Sequence, residues 1–353
     1  MKRFIPIYII MVLLVAACNR EPEVVPTPVT SNDISFDVEN ISDDSRATLI
    51  TGPSSEAFRA KSFRVYAEHT PEGGTPQDVF NDVYVSYDGI LTGWNYPEPY
   101  RQWALDGDYV FRAFWPSSTM VEGTATTSSL VLQYSTAVNN DDMMVAYYAC
   151  PTRNPDSYGN TRYVALRFNH ALSAVRVAFK IGEHAQANYK VKEVYFTSVY
   201  RIGSLQYTQT NSAGIDLSYW TGMLRAENDE FSTDKVRRWV EGDEGVSGDV
   251  PHTIDDEKPQ YLYLPWQFMI PQSLKVDYGE LKPGVHVVVE ATLGGSTTIE
   301  SKELTLPLPE GLDKWEPGKR YTYTISLQPN MFDISVQTTP WDEVDAVVPD
   351  IIF

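Results

Sequence analysis

The chain has 353 residues, of which 42% are hydrophobic, 12% aromatic and 21% charged, and its formal net charge at pH 7 is −19. This length is enough for two domains with a core each, and so acidic a chain repels the phosphate backbone of nucleic acids. The 23 Pro and 21 Gly are dispersed, which excludes collagen, a coiled coil and a disordered chain, and the 22 Tyr favour β-structure.

The first 18 residues have the pattern of an export signal. Lys2 and Arg3 precede a 14-residue apolar stretch that ends at Ala17, which is shorter than the ~20 residues of a membrane-spanning helix. The small residues before Cys18 resemble a bacterial lipobox, in which the peptide is cleaved before the cysteine and the cysteine is acylated. We therefore predict a signal peptide over residues 1–17, cleavage between Ala17 and Cys18, and a lipid on Cys18. An ordinary signal peptide with a chance cysteine is the alternative.

A lipid on Cys18 would hold the protein at a membrane without a transmembrane segment, because two or more acyl chains anchor firmly. Removal of Lys2 and Arg3 with the signal peptide changes the net charge from −19 to −21. Residues 18–32 are polar and rich in Pro, which predicts a flexible spacer. Cys150 then has no second cysteine for a disulfide and is predicted to be a small buried side chain.

From residue 33 onward, short segments of alternating apolar and polar residues predict β-strands. Within residues 33–158, the predicted N-terminal domain, these segments are 62–67, 82–87, 108–114, 129–134 and 143–148. A loop with two prolines carries Tyr96 and Tyr100, and it is flanked by Trp94 and Trp103. These four aromatic side chains form either a platform for sugar rings or a cluster packed beneath their own loop.

A segment rich in turn residues, 154–160, predicts a domain boundary, and residues 159–353 form the predicted C-terminal domain. Its predicted strands are 163–168, 174–181, 192–200, 261–264, 285–293, 321–327 and 333–338. This number suits an antiparallel β-sandwich. Residues 231–241 have helix-like spacing, and 211–252 is predicted to be a long irregular insertion. The predicted fold class is therefore all-β, with two antiparallel β-sandwich domains in tandem.

The end of the chain is unusually apolar. Residues 342–353 contain Val344, Val347, Val348, Ile351, Ile352 and Phe353. Because chain termini are normally polar and frayed, such a tail is expected to cover a sheet edge. That edge belongs either to its own C-terminal sheet or to another molecule.

The sequence contains no pattern typical of catalysis or metal binding. The histidines are His69, His170, His184, His252 and His286, and none is spaced from another as metal ligands are. His170, at a predicted strand end, is expected to be a hydrogen-bonded structural residue. The acidic clusters 43–44, 141–142 and 255–257 suggest a calcium site or a glycosidase pair, but none fits a calcium-loop pattern. We therefore expect no enzymatic activity, no cofactor and no metal.

A series of short motifs runs through nearly the whole chain. The lipobox and the spacer are followed by Asp44-Ser45-Arg46-Ala47-Thr48. Further motifs lie at 96–103, 109–116, 142–146, 166–172, 268–272 and 315–323, and Trp341 stands near the end. In this order and spacing, the motifs resemble those of the fimbrillin family, the Mfa-like subunits of type V pili.

The resemblance implies two transthyretin-like β-sandwich domains, exported as a lipoprotein to the outer membrane and surface of a Gram-negative cell. It also implies that an Arg-specific protease cuts stalk subunits after an Arg in the first strand, which corresponds here to the bond between Arg46 and Ala47. The groove left by the lost strand is filled by a strand from another subunit, a role that residues 342–353 fit. The implied partners are other pilus subunits, the outer membrane through the lipid, and a host protein or glycan.

Two classes of function follow from these observations. The leading hypothesis is a structural subunit of cell-surface fimbriae that contributes to adhesion through β-strand exchange. Within it, stalk, tip and anchor roles remain open, since an anchor would keep its lipid and first strand and a stalk subunit would lose both. The alternative is a stand-alone surface lipoprotein that binds glycans through the aromatic side chains between Trp94 and Trp103. Arg46 could equally be a solvated side chain in its Asp- and Ser-rich segment.

Overall fold

The structure is a computed structural model of the chain. It describes residues 33–38, 56–89, 93–121, 130–136, 140–150, 163–182, 185–207, 220–224, 235–251, 260–275, 282–307, 313–328 and 331–340. The predicted signal peptide, spacer, cleavage bond and apolar tail lie outside the described residues, so they stay predictions. Within the described residues, no helix is long and apolar enough to cross a membrane.

The first part of the chain forms a large, mostly antiparallel sheet. Its elements are β1 (Ser35–Val38), α1 (Glu56–Arg59), β2 (Phe63–Thr70), β3 (Gln77–Tyr87), β4 (Trp94–Asn95), β5 (Asp108–Trp115), β6 (Met120–Val121), β7 (Leu130–Ser135), β8 (Met144–Cys150), β9 (Tyr163–Leu166) and β10 (Phe168–His170). Eight of these strands form one sheet in the order β10-β8-β5-β2-β3-β4-β1-β9. All neighbours in it are antiparallel except β1 and β9, which are parallel.

Both faces of the middle strands of this sheet are buried. Because successive side chains of a strand point to opposite faces, Phe63 and Val65 of β2 lie on one face with Phe111 of β5. They belong to the first core, which the sheet itself encloses. Tyr66 and Phe114 lie on the other face and belong to a separate apolar cluster. Apolar residues on both faces explain why these strands read as nearly continuous hydrophobic segments.

The second part of the chain forms two smaller sheets. Its strands are β11 (Ser173–Ile181), β12 (Asn188–Thr197), β13 (Ile202–Tyr207), β14 (Trp220–Leu224), β15 (Val236–Val240), β16 (Leu262–Tyr263), β17 (Gln267–Met269), β18 (Gln272–Ser273), β19 (Gly284–Leu293), β20 (Ser296–Thr305), β21 (Lys314–Trp315), β22 (Lys319–Gln328) and β23 (Met331–Pro340). One sheet has the order β16-β11-β22-β23, with β17 also paired to β11, and the other has the order β15-β12-β19-β20. A second core lies between them and includes Val175, Phe179, Val287, Trp315 and Tyr323.

A third sheet contains strands from both parts of the chain. Its order is β14-β13-β7-β6, and β7 of the first part pairs with β13 of the second. Leu132 and Leu205 of this composite sheet belong to the same buried apolar cluster as Phe114 on the outer face of the large sheet. The Tyr207 hydroxyl also donates a hydrogen bond to the Ala146 carbonyl. The two parts therefore share a buried apolar cluster and a backbone ladder.

The prediction of an all-β fold is confirmed, and its sheets are mostly antiparallel, with the parallel pairs β1–β9 and β11–β22. The strands predicted from alternation overlap observed ones, although several boundaries differ by a few residues. The tandem transthyretin-like arrangement and the division after residue 158 stay predictions. Residues 151–162 lie outside the described part of the chain. Since β9 and β10 pair with strands of the large sheet, a boundary drawn from strand pairing would follow His170.

The helix predicted over residues 231–241 is wrong where the structure describes it. Residues 236–240 form β15, which pairs with β12. The register shifts along this pair, and Arg237 has a φ of +53°, so that Val236 and Trp239 are both buried although they are three residues apart. This bulge imitates the spacing of a helix. The described parts of the predicted insertion 211–252 are also more regular than expected, because they supply β14 and β15 as edge strands.

Candidate strand-exchange site

β1 is a short strand inside the first sheet. It lies between β4, to which it is antiparallel, and β9, to which it is parallel. Phe36 is in register with Trp94 on one side and with Val164 on the other. Removal of β1 would therefore leave a slot with an unpaired strand edge on each side. We call this position the β1 slot.

Alternate side chains of this segment are inserted into the first core. Ile34, Phe36 and Val38 are buried, whereas Asp37 between them is exposed. Phe36 is only 4% exposed and lies at the centre of an aromatic cluster. Its ring centroid is 5.4–6.2 Å from those of Phe63, Phe80, Tyr96 and Phe111. β1 is thus a structural part of the core rather than a strand laid on its surface.

The loop between β4 and β5 holds the start of this strand. The Ile34 N–H donates to the Arg101 carbonyl at 2.7 Å, and the Tyr96 hydroxyl donates to the Ile34 carbonyl at 2.9 Å. The same hydroxyl accepts a hydrogen bond from the Arg101 N–H at 3.0 Å. Burial raises the pKa of Tyr96, so its hydroxyl keeps the proton that it donates.

An empty β1 slot would be costly. Burial of an aliphatic or aromatic side chain is worth ~1.5–3 kcal/mol, so Ile34, Phe36 and Val38 together account for at most ~5–9 kcal/mol. The net stability of a folded protein is only ~5–15 kcal/mol. A chain that loses β1 therefore needs another strand in the slot to keep the first core closed.

β1 precedes the predicted cleavage bond in the sequence. Cleavage between Arg46 and Ala47 would separate β1, together with Cys18, from the rest of the chain. Ala17, Cys18, Arg46 and Ala47 all lie outside the described residues, as do the six apolar residues of the tail.

β1, on which the candidate site depends, is absent from the strands predicted from the sequence. The signal is present, since Ile34, Phe36 and Val38 alternate with Ser35 and Asp37. It is weak because a strand of four residues holds only two full periods of alternation. A segment this short is strongly specified only by the core that receives it.

The aromatic side chains between β4 and β5 pack beneath their own loop. Trp94, Tyr96 and Trp103 are buried, and the Trp103 ring lies 4.8 Å from that of Tyr109. Of the four aromatic side chains considered for a sugar platform, only Tyr100 is exposed. One exposed ring does not form a platform, so the packing alternative is the one observed.

A comparison with known families identifies the family of the chain. The sequence profile of the fimbrillin-like family matches residues 46–341. The chain belongs to the fimbrillin-like family. Family membership confirms the resemblance inferred from the motifs, and the matched region begins after β1. Among curated proteins, none gives a significant match.

Solved structures with the same fold include a fimbrial protein from Bacteroides vulgatus. It is 14% identical to this fimbrillin-like chain, with a TM-score of 0.57, and the match covers 88% of this chain and 99% of that one. A Bacteroides ovatus structure, described as a proposed cell adhesion protein, has 13% identity, a TM-score of 0.47 and coverages of 89% and 98%. The tip fimbrial protein Mfa3 from Porphyromonas gingivalis has 9% identity, a TM-score of 0.37 and coverages of 80% and 95%. The likeness to the first of these shows the fold alone.

The other candidates for chemistry in this fimbrillin-like chain make structural contacts. His170 Nδ1 lies 2.6 Å from Asp142 Oδ2, and both side chains are buried, in agreement with the structural role predicted for His170. Asp141 forms an ion pair with Lys61 at 2.7 Å. The described residues contain no group of three or more His, Cys, Asp or Glu side chains that could bind a metal. The acidic clusters 43–44 and 255–257 lie outside them.

Proposed function

We propose that this chain is a structural subunit of cell-surface fimbriae and that it assembles by β-strand exchange. Membership of the fimbrillin-like family supports a fimbrial subunit. The observation that carries strand exchange is the place of β1, which fills a core slot and precedes Arg46. Cleavage after Arg46 releases β1, and a strand from another subunit replaces it through backbone hydrogen bonds and alternate apolar side chains.

The proposed donor is the apolar tail, residues 342–353, which follows the edge strand β23. In it, Val344, Ala346 and Val348 repeat the two-residue spacing with which β1 fills its slot. The six large apolar side chains of the tail are worth at most ~9–18 kcal/mol on burial, before the cost of ordering them. Only alternate side chains can enter the slot, where β1 itself contributes at most ~5–9 kcal/mol, so the backbone ladder and the apolar residues outside the slot must add to the affinity of the tail.

The proposed route to the fibre begins at the outer membrane. The signal peptide is removed between Ala17 and Cys18, and the acylated cysteine holds the precursor at the cell surface through the spacer 18–32. Cleavage after Arg46 then frees the subunit from its lipid. The fibre contributes to adhesion through a host protein or a glycan, and the subunit itself has no catalytic role.

The decisive experiment compares two conservative substitutions in the native cell. We expect Arg46→Lys to block an Arg-specific protease while keeping the charge, so the chain should stay at the membrane, begin with acylated Cys18 and be missing from fibres. The control is Arg59→Lys, which changes an exposed arginine of α1 and should leave assembly unchanged. Intact mass and N-terminal sequencing of fibre and membrane fractions give the result.

Fibres made of chains that begin at Ala47 support the proposal. Normal incorporation of the Arg46→Lys chain would contradict it. Fibre-associated chains that begin at Cys18 would instead indicate an anchor, which keeps its lipid and β1. Deletion of 342–353 tests the donor. The truncated chain should be cleaved normally, but it has no strand to insert into the slot of another subunit, so it should not form fibres alone. If fibres of normal length still form from it alone, the tail pairs with its own sheet.

A further inference from the structure

The two ends of the β1 slot have different surroundings. At one end, where β1 begins, Asp33 forms a bridge with Gln102, and Ser35 is in register with Tyr163 at the start of β9. We call this end the slot mouth. β2 ends on the same side of the sheet, and β5 begins there. The connection between β4 and β5 therefore borders the slot mouth.

Large apolar side chains are exposed at the slot mouth. Tyr100, Leu105 and Tyr163, which we call the apolar rim, are 53%, 88% and 55% exposed. They are three of the eight exposed large apolar side chains in the described residues. The Tyr100 ring lies 5.7 Å from that of Tyr96, which holds the start of β1, and Tyr163 stands beside Ser35. These three exposed apolar side chains thus lie on the segments that border the point where β1 enters the core.

At the opposite end of the slot, Val38 pairs with Leu166, where β9 leads towards the second part of the chain. From β9 the chain passes through β10 into β11, which belongs to the second part. Backbone hydrogen bonds close this junction. The Ala171 N–H donates to the Met143 carbonyl at 2.8 Å, and the Gly318 N–H donates to the Leu172 carbonyl at 2.9 Å. These bonds belong to the junction with the second part of the chain, whereas the exposed apolar rim borders the slot mouth.

The length of the tail limits the position of the donor subunit. β23 ends at Pro340, and the proposed donor strand lies within the 13 residues 341–353. The segment of β1 that fills the core, 34–38, has five residues. At most eight residues remain as a connection, and they span no more than ~26–29 Å when fully extended. The body of the donor must consequently lie close to the end of the slot through which its tail enters.

We propose that the apolar rim binds the body of a second copy of this chain, whose tail enters at the slot mouth and runs in the direction of β1. The donor strand is then parallel to β9 and antiparallel to β4. The inference rests on the proposed strand exchange and adds the contact surface and the direction of the donor strand. Tyrosine and other large apolar side chains are the usual centre of such contacts between subunits.

The rim is tested with an acceptor subunit that cannot donate. A chain without residues 342–353 is cleaved after Arg46, and the β1 segment stays bound in the slot without a covalent link until a donor strand displaces it. The affinity of this acceptor is then measured for two ligands, a synthetic peptide of residues 341–353 and a whole donor subunit. The acceptor carries either Tyr100→Asp and Leu105→Asp together, or the control pair Leu293→Asp and Ile299→Asp on the β19–β20 hairpin, which is also exposed.

We expect the rim variant to bind the peptide within about twofold of the parent and the whole donor at least roughly tenfold more weakly. The control variant should match the parent with both ligands. If the rim variant binds the whole donor as tightly as the parent does, and binds the peptide normally, the inference is overturned and strand exchange remains supported. Failure of the peptide to bind the parent overturns both.

The direction of the donor strand is tested by distance measurement. A nitroxide is placed on the first residue of the bound peptide, and a second is placed on the acceptor through Gln102→Cys at the slot mouth or Arg167→Cys beyond the end of β9. Both positions are exposed, whereas the native Cys150 is buried. We expect the shorter distance with Gln102→Cys. A shorter distance with Arg167→Cys shows the opposite direction and overturns the inference.

Discussion

Phe36 is the residue on which closure of the first core depends most directly. Because its ring touches four other aromatic rings, we expect Phe36→Ala to lower the free energy of unfolding of the uncleaved chain by about 3–5 kcal/mol. Chemical denaturation measures this change. The control Asp37→Asn alters an exposed side chain of the same strand and should cost less than about 0.5 kcal/mol. Equal costs for the two variants would show that β1 is not part of the core.

Buried tyrosines predict how stability changes at high pH. Burial raises the pKa of Tyr321 to about 12, and that of Tyr66 to about 12, whereas tyrosine in an unfolded chain ionises near ~10. The unfolded chain therefore releases its protons first, so the stabilisation is complete below pH ~10 and is lost as the pH rises towards ~12.

Urea midpoints measured between pH 8 and pH 11.5 test this prediction. We expect the midpoint to fall above pH ~10 and to fall less steeply in Tyr321→Phe, which has no ionisable hydroxyl at that position. Tyr163→Phe removes an exposed tyrosine and should leave the slope unchanged. A midpoint that does not depend on pH in this range would contradict the prediction.

At the scale of elements, the pairing of β1 predicts which strands become less protected after cleavage. When β1 leaves, β4 and β9 each lose a strand partner, so their backbone amides should exchange with solvent faster. Hydrogen exchange before and after cleavage should show this in residues 93–96 and 163–166. β22 lies between β11 and β23 in a separate sheet and serves as the internal control. Faster exchange in β22 as well would mean that the loss of β1 loosens the whole molecule.

The elements also show which patterns the sequence encodes reliably. β11 and β19 extend over nine and ten residues, and both were predictable because an alternation of that length does not fit the period of a helix. β15 was misread as helix because its bulge at Arg237 puts Val236 and Trp239 on one face. β1 was missed because it is short. In these cases the backbone geometry and the neighbouring core, which a single segment does not reveal, determine the element.

At the scale of the whole molecule, the composite sheet predicts that the two parts unfold together. β7 pairs with β13 along six residues, and Leu132 and Leu205 are buried in the shared cluster. We expect one calorimetric transition, which Leu205→Ala should destabilise by about 2–5 kcal/mol without splitting it. Ile299→Ala, on the exposed strand β20, should have little effect. Two transitions, of which Leu205→Ala moves only one, would show that the parts are independent.

The sequence by itself determined the fold class, the position of the long strands and the family, because alternation, turn residues and ordered motifs are local properties. It also predicted an export signal, a cleavage bond and an apolar tail. Only the tertiary structure decided that Trp94 and Trp103 are buried, that β13 joins β7, and that β1 fills a slot in the first core. These features depend on contacts between residues far apart in the chain, and the pairing of distant strands cannot be inferred from the period of either strand alone.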